Sequence, residues 1–316
     1  MTVPKRGVFD VLRRGVDNTI ANWPLVLIRL GEVVLFGLMA VVAVIAAIVP
    51  LLVSVGIEVS GIDTPDDIES AMFALMERWI LLVWIFVAIA VLLLLFVAIH
   101  AFVEAGSTRV YVDAERMAGP AMAGRRSRFR AFSMERWLAG AKNGWWTVFW
   151  IYNLAWGVAG LILLIPLLPT IGGMLLLRER PPAAVATGCA GLILTGMLFI
   201  VVGAVTGMWV NRAIAEWAVR GLGARESLAT GWSAFRRDLG RHVLIFLAVF
   251  ITAVAGSSFF ASFSFFAAFG DAFGGNHGMF NLATLPLRIV GSLLNSAFSA
   301  MVSAWYLASY SALATE

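Results

Sequence analysis

The sequence predicts an all-α integral membrane protein: six transmembrane helices in three hairpin repeats, each repeat preceded by an amphipathic helix on the cytoplasmic side. Three observations lead there. The 316-residue chain is 61% hydrophobic and 13% charged, against ~45–50% and ~25% in soluble domains. The apolar residues gather into six stretches free of Lys, Arg, Asp and Glu, at 33–57, 79–103, 144–177, 181–211, 242–270 and 289–315. The basic residues crowd into alternate segments between those stretches.

Each stretch reaches the ~20 residues that a helix needs to cross a ~30 Å hydrocarbon core. Only helices and closed barrels satisfy their backbone groups in lipid, and the short alternating strands of a barrel are not seen here. The first stretch is too long for the apolar part of a secretory signal and is followed by no small-residue cleavage site, so it is expected to be retained. Nineteen of the 23 Lys and Arg precede residue 30 or lie in 104–143 and 212–241; Arg78, Arg178, Arg180 and Arg288 make up the rest. The positive-inside rule therefore places the N-terminus, both basic loops and the C-terminus in the cytoplasm; richness in Ala, Gly and Arg fits a bacterial inner membrane. The single Cys189 forms no intrachain disulfide and is expected to be a small packing residue.

Taken in order, the first segment, "VFDVLRRGVDNTIANWPLVLI", is short, basic and amphipathic. The "RLGE" that follows puts Arg29 and Glu32 near the start of span one. Residues 33–53 alone suffice to span, so Trp23 falls in the interfacial aromatic belt. Arg29 is expected to snorkel to the headgroups, with Glu32 one turn deeper at pairing distance. The loop to span two carries "TPDDIESAMFALMERW", whose Thr64, Pro65, Asp66 and Asp67 are N-terminal helix signals. Span two runs on into "RVYVDAERMAG", and span four into "RAIAEWAVRGLG". In each an arginine (Arg109, Arg212) opens an extension that stops at glycine.

"FRAFSMERWLAGAKNGWWTVF" and "ESLATGWSAFRRDLGRHVLIF" precede spans three and five as the first segment precedes span one. Aligning Gly15 with Gly231 sets Asn22 on Asp238. In the second copy Asn143 is expected to stand for Asn22. The whole chain then reads as a single polytopic membrane domain, 1–316, with repeat units of about 7–119, 128–223 and 226–316. The pattern G-W-x-x-F-R-R-D-x-G-R before a span, with a Gly-terminated extension after the previous one, resembles a broad superfamily of prokaryotic six-helix membrane proteins. That superfamily includes the membrane domain of some glycerophosphodiester phosphodiesterases and several uncharacterised families. The resemblance covers nearly the whole chain and implies the six-helix fold. It implies no phosphodiesterase activity, which resides in a separate soluble barrel of ~250 residues for which this chain has no room.

No paired-Cys motif, His-Glu-x-x-His, Walker loop or nucleophile elbow occurs. No catalytic residue, cofactor or metal site is expected. Asp271 and His277 in the Phe- and Gly-rich last loop are too few for a metal. The serines 292, 296, 299 and 303 and the glycines 196, 203 and 207 are expected to form helix-packing faces. Ionisable and polar residues in lipid are costly and mark sites. The candidate inner-leaflet cluster is Arg29, Glu32, His100, Glu104, Asn153, Arg212 and His242. Candidate contacts to anionic lipid headgroups are Arg125, Arg126, Arg128, Arg130, Arg236, Arg237 and Arg241. The basic loops lack a base-stacking aromatic pattern, so membrane lipids, or a membrane-protein partner, are expected rather than nucleic acid. The functional expectation is a non-enzymatic accessory, scaffold or lipid-organising protein. A transporter or flippase for hydrophobic or amphipathic molecules is the alternative.

Overall fold

A computed structural model of the chain describes residues 5–55, 79–119, 126–177, 179–273 and 277–316; within these, side chains are described outside 47–55, 79–82, 181, 263–273, 277–284 and 287. The helix and acidic cluster expected at 64–78, the side chains of Asp271 and His277, and Arg125 lie outside the described residues. Eight α-helices and one 3-10 turn, with no strand, form among the described residues. They are α1 (Val8–Ala21), α2 (Pro24–Val55), α3 (Trp79–Ala118), the turn Arg126–Phe129, α4 (Met134–Leu176), α5 (Pro181–Arg220), α6 (Ala224–Arg237), α7 (Leu239–Phe273) and α8 (His277–Ala314).

Five of these, α2 to α5 and α7, contain segments long and apolar enough to cross a membrane. The chain is a multi-pass membrane protein by this composition. The sixth long helix, α8, lies against α7 and continues to the chain's last residues. Exposed Leu, Ile, Val and Phe cover the middle of the long helices, while the buried residues concentrate at one end, which also carries most of the arginines. We call this the basic end.

Short helices α1 and α6 match residue for residue. Both have 14 residues, an uncapped Gly at the N-cap in extended conformation (Gly7, Gly223) and a break at Asn22 or Asp238 with nearly equal backbone angles. The Gly15–Gly231 alignment holds. The second copy differs: "MERWLAGAKNGWWTVF" is the beginning of α4 itself, a single 43-residue helix. The expected separate amphipathic helix is absent there because Thr147, Val148 and Phe149 stand where Asn22-Trp23-Pro24 and Asp238-Leu239-Gly240 interrupt the other copies. Ser133 caps α4 by accepting from the Arg136 N–H at 3.2 Å. Asn143 is exposed and does not stand for Asn22.

What unites the copies is a close approach at glycine. A Cβ on Gly15 would lie 2.2 Å from Ser309 Oγ on α8; on Gly231, 2.8 Å from the Ala213 backbone on α5; on Gly140, 2.8 Å from Arg109 Cβ on α3. The start of α4 is seated on α3, α6 on α5, and α1 on α8, which closes the series. Trp305 Nε1 donates to Leu12 O at 2.9 Å, and Trp209 Nε1 donates to the equivalent Leu228 O at 2.8 Å. In the remaining seat the bulk is exchanged. The tryptophan is Trp137 on the entry helix, and it packs over Gly106 on the span.

The extensions end as expected. Gly119 and Gly221 adopt φ of 71° and 70°, the left-handed cap that glycine alone adopts freely. The glycine set expected to pack does not, since a Cβ on Gly196, Gly203 or Gly207 would meet nothing within 4 Å. Packing falls instead on Gly144, against Trp217, and on Gly191, against Thr170. Ser292 and Ser299 are exposed rather than packed. Cys189 is exposed too, because it lies on the outward face of α5.

The two classes of glycine separate by measurement. Gly231→Ala is expected to lower stability by about 1–3 kcal/mol, because the obstructing atoms are backbone. Gly203→Ala is expected to leave it unchanged or raise it by up to ~1 kcal/mol through helix propensity. Thermal unfolding of the detergent-solubilised protein reads both.

Candidate functional site

Helices α2, α3 and α4 meet at the basic end, and there the chain assembles a buried group of ionisable side chains. Arg29 and Glu32 lie one turn apart on α2, and His100 and Glu104 one turn apart on α3, so each pair shares a helix face. Arg29 is 7% exposed, Glu32 4% and Glu104 3%. Arg29 Nη1 donates to Glu32 Oε2 at 2.8 Å, and its Nη2 donates to Glu104 Oε1 at 3.2 Å. His100 sits between the carboxylates, with Nδ1 2.6 Å from Glu32 Oε1 and Nε2 2.7 Å from Glu104 Oε2. Tyr152 of α4 completes the group, its hydroxyl donating to Glu104 Oε2.

A ring protonated on both nitrogens can donate to both carboxylates. With it, one guanidinium, one imidazolium and two carboxylates sum to zero charge. That is how four ionisable groups are kept in a low-dielectric place: burying an ion is costly unless it is paired and hydrogen-bonded. The carboxylate and guanidinium are enclosed, whereas the His100 side chain keeps 32% of its surface open. Phe36, whose ring packs edge-on to Phe96 at 4.8 Å, and Tyr152 flank that imidazole. The group ties three helices together and leaves one titratable side chain at its rim.

Four of the seven expected cluster residues therefore come together: Arg29, Glu32, His100 and Glu104. Arg29 does not snorkel, because both carboxylates draw its guanidinium inward. Asn153 is not part of the group; its amide bonds to Phe149 O on its own helix. Arg212 and His242 belong elsewhere. Arg212 pairs with Glu216 at 2.6 Å, while His242 is buried between Phe235 and Tyr310 and makes a 3.0 Å contact to Asp238 O through Nδ1. Tyr152 was not among the expected residues; only the packing of α4 on α3 brings its hydroxyl to Glu104.

A second buried group was also missed. Arg14 of α1 donates to Glu115 Oε2 at 2.9 Å and to Gly119 O at 2.9 Å. Asn22 donates to Phe129 O and accepts the N–H groups of Ala131 and Phe132, pinning the approach to α4. In the sequence Arg14 reads as one of the basic residues of an amphipathic helix, and Asn22 as a marker of the repeat.

Of the expected headgroup contacts, Arg128, Arg130, Arg236 and Arg237 are exposed. Arg126 is exposed but pairs with Asp17 at 3.1 Å. Arg241 is committed to the chain itself, donating to Glu316 and to Arg6 O. Lys5 donates to Asp238 at 2.7 Å and holds that carboxyl below its ordinary range. The two ends of the chain are thereby fastened to the α6–α7 joint.

Removing one partner of an enclosed ion group leaves the other uncompensated. Arg29→Ala is expected to cost about 3–5 kcal/mol, whereas Asn153→Ala is expected to stay within ~0.5 kcal/mol. Thermal unfolding in detergent measures the two side by side. Glu32→Gln keeps the shape, and the variant is expected to insert into the membrane as the parent does.

Comparison of the chain with protein-family models, with curated protein sequences and with solved structures gives no match.

Proposed function

We propose that the chain is a non-enzymatic, six-span component of the bacterial cytoplasmic membrane, with both termini and the basic end in the cytoplasm, that acts as a scaffold or lipid-organising protein. The observation that carries this reading is the state of its ionisable groups within the spans. Arg29, Glu32, His100 and Glu104 neutralise one another, and Arg212 is held by Glu216. Such groups brace helices against each other and are poorly placed to receive and release a substrate. The cyclic seating of the entry helices supports the same reading, because it makes the basic end a closed platform. Exposed arginines on that platform suit an anionic membrane surface, at about 1 kcal/mol per near-surface charge. The resemblance to six-helix prokaryotic membrane proteins is in keeping with this architecture.

A carrier of amphipathic molecules is the second reading, favoured by the open edge of His100. Reconstitution separates the two. In vesicles with fluorescent lipid analogues, the protein is expected to leave transbilayer movement at the protein-free rate; acceleration would favour the carrier. Orientation is read with Cys189→Ser carrying either Ser127→Cys or Ser233→Cys, both at exposed positions. An impermeant maleimide is expected to label neither in intact cells and both after lysis.

A further inference from the structure

The three repeats place the same surfaces together, so a difference between them is informative. Between α4 and α5, roofed by α6, lies an open apolar groove of about 450 Å³, within the ~300–1,000 Å³ of ligand sites. Its α4 wall is Ala155, Val158, Ala159 and Ile162. The corresponding groove between α7 and α8 has Phe246, Val249, Phe250 and Ala253 at the equivalent four positions and is smaller, about 320 Å³. There Phe246 and Phe250 stack on each other, 5.7 Å apart, where the α4–α5 groove has the small, buried Ala155 and Ala159 as its floor. In the first repeat Trp137, the counterpart of Leu228, packs edge-on against Phe102. The α7–α8 groove thus carries aromatic rings where the α4–α5 groove has alanines. The difference lies in side-chain size, not in backbone arrangement.

The wide groove leads along α4 to a second depression of about 500 Å³ at the start of α6, lined by Trp150, Leu154, Arg225 and Glu226 among others. Leu154 of the polar space and Val158 of the apolar one lie one turn apart on the same face of α4, so the two adjoin. The polar end presents both signs of charge. The first-turn N–H groups of α6 have no side-chain cap at Gly223, and with Arg225 they suit a phosphate. Glu226, at the same rim, suits a cation. The exposed indoles of Trp150 and Trp232 mark the level at which aromatic rings meet headgroups.

We propose that this groove is a binding site for one phospholipid with an ethanolamine headgroup. An acyl chain lies along Val158 and Ile162 in the groove that Ala155 and Ala159 floor, the phosphodiester lies against Arg225 and the α6 N-terminus, and the ammonium pairs with Glu226. This deepens the lipid-organising reading and rests on its premise that these helices span a membrane. Electrostatic complementarity selects the headgroup. A phosphoglycerol lipid offers Glu226 no cation, and a choline lipid offers it no N–H donor.

Native mass spectrometry of the intact protein, released from mixed micelles holding equal phosphatidylethanolamine, phosphatidylglycerol and phosphatidylcholine, tests the site. One phosphatidylethanolamine is expected to be retained in preference to the other two. The Ala155→Phe/Ala159→Phe double variant copies the rings tolerated in the third repeat and is expected to lose that lipid roughly tenfold. Glu226→Gln is expected to retain a lipid but erase the headgroup preference. Leu161→Phe, on the exposed face of α4, is the control and is expected to change neither. Equal retention by the filled variant, or preference for phosphatidylglycerol in the parent, overturns the proposal. If the filled variant fails to fold, the Glu226→Gln headgroup preference decides it alone. Failure of the protein to float with lipid vesicles would instead strike the membrane reading itself.

Discussion

The structure depends on three seats at the basic end: α1 on α8, the start of α4 on α3, and α6 on α5. In lipid there is little hydrophobic drive to bring two apolar helices together, so close backbone approach and hydrogen bonds must hold them. Both are concentrated at the basic end. Gly15, Gly140 and Gly231 admit a neighbouring helix where any side chain would collide. Trp305 and Trp209 of the facing helices bond α1 and α6 at Leu12 O and Leu228 O. Because α1 reaches α8, the three seats close into a ring, and Arg241 of α7 joins residues near both ends by donating to Arg6 O and Glu316.

Ring closure explains the distribution of charge. Ionisable residues at the basic end are tolerated because helices meeting there can pair them. The middle of each span has no such neighbours and is apolar. The group around His100 occurs in the first repeat alone. At the corresponding positions α5 has Gly203 and Gly207, and α8 has Ser299 and Ser303. The fold does not need the charges to form its repeat. They brace α2, largely exposed over residues 33–46, against α3, next to the place where Leu25 packs with Ala304 and Leu307 of α8. The repeats have likewise diverged in how much of each intervening groove their side chains fill.

Much of this was legible in the sequence. Charge-free runs marked the long helices, since an unpaired charge in lipid is costly. Gly119 and Gly221 announced helix ends, and Gly15 with Gly231 announced the repeat. The pairing of Arg29 with Glu32 followed from their spacing. What escaped was set by tertiary contact. Arg29 is turned inward by Glu104, some 75 residues away in the chain. Tyr152 joins the group through α4, whose register in the repeat is carried by Gly140 and was misjudged from Asn143. Trp137 and Gly106 exchange bulk across their seat, so the second copy looked unlike the others although it packs in the same way. Small residues at 196, 203 and 207 promised packing that α5 makes through Gly191 and Trp217 instead.

A circular permutant tests ring closure most directly. The chain would be opened between Gly119 and Arg126, and Glu316 joined to Lys5 by a short Gly/Ser linker. Circular permutation succeeds where the new ends are surface-placed and the old ends adjacent. With α1 seated on α8, the permutant is expected to insert and to unfold in detergent close to the parent's temperature. A permutant that fails to insert, or that folds only with a long linker, would contradict the ring.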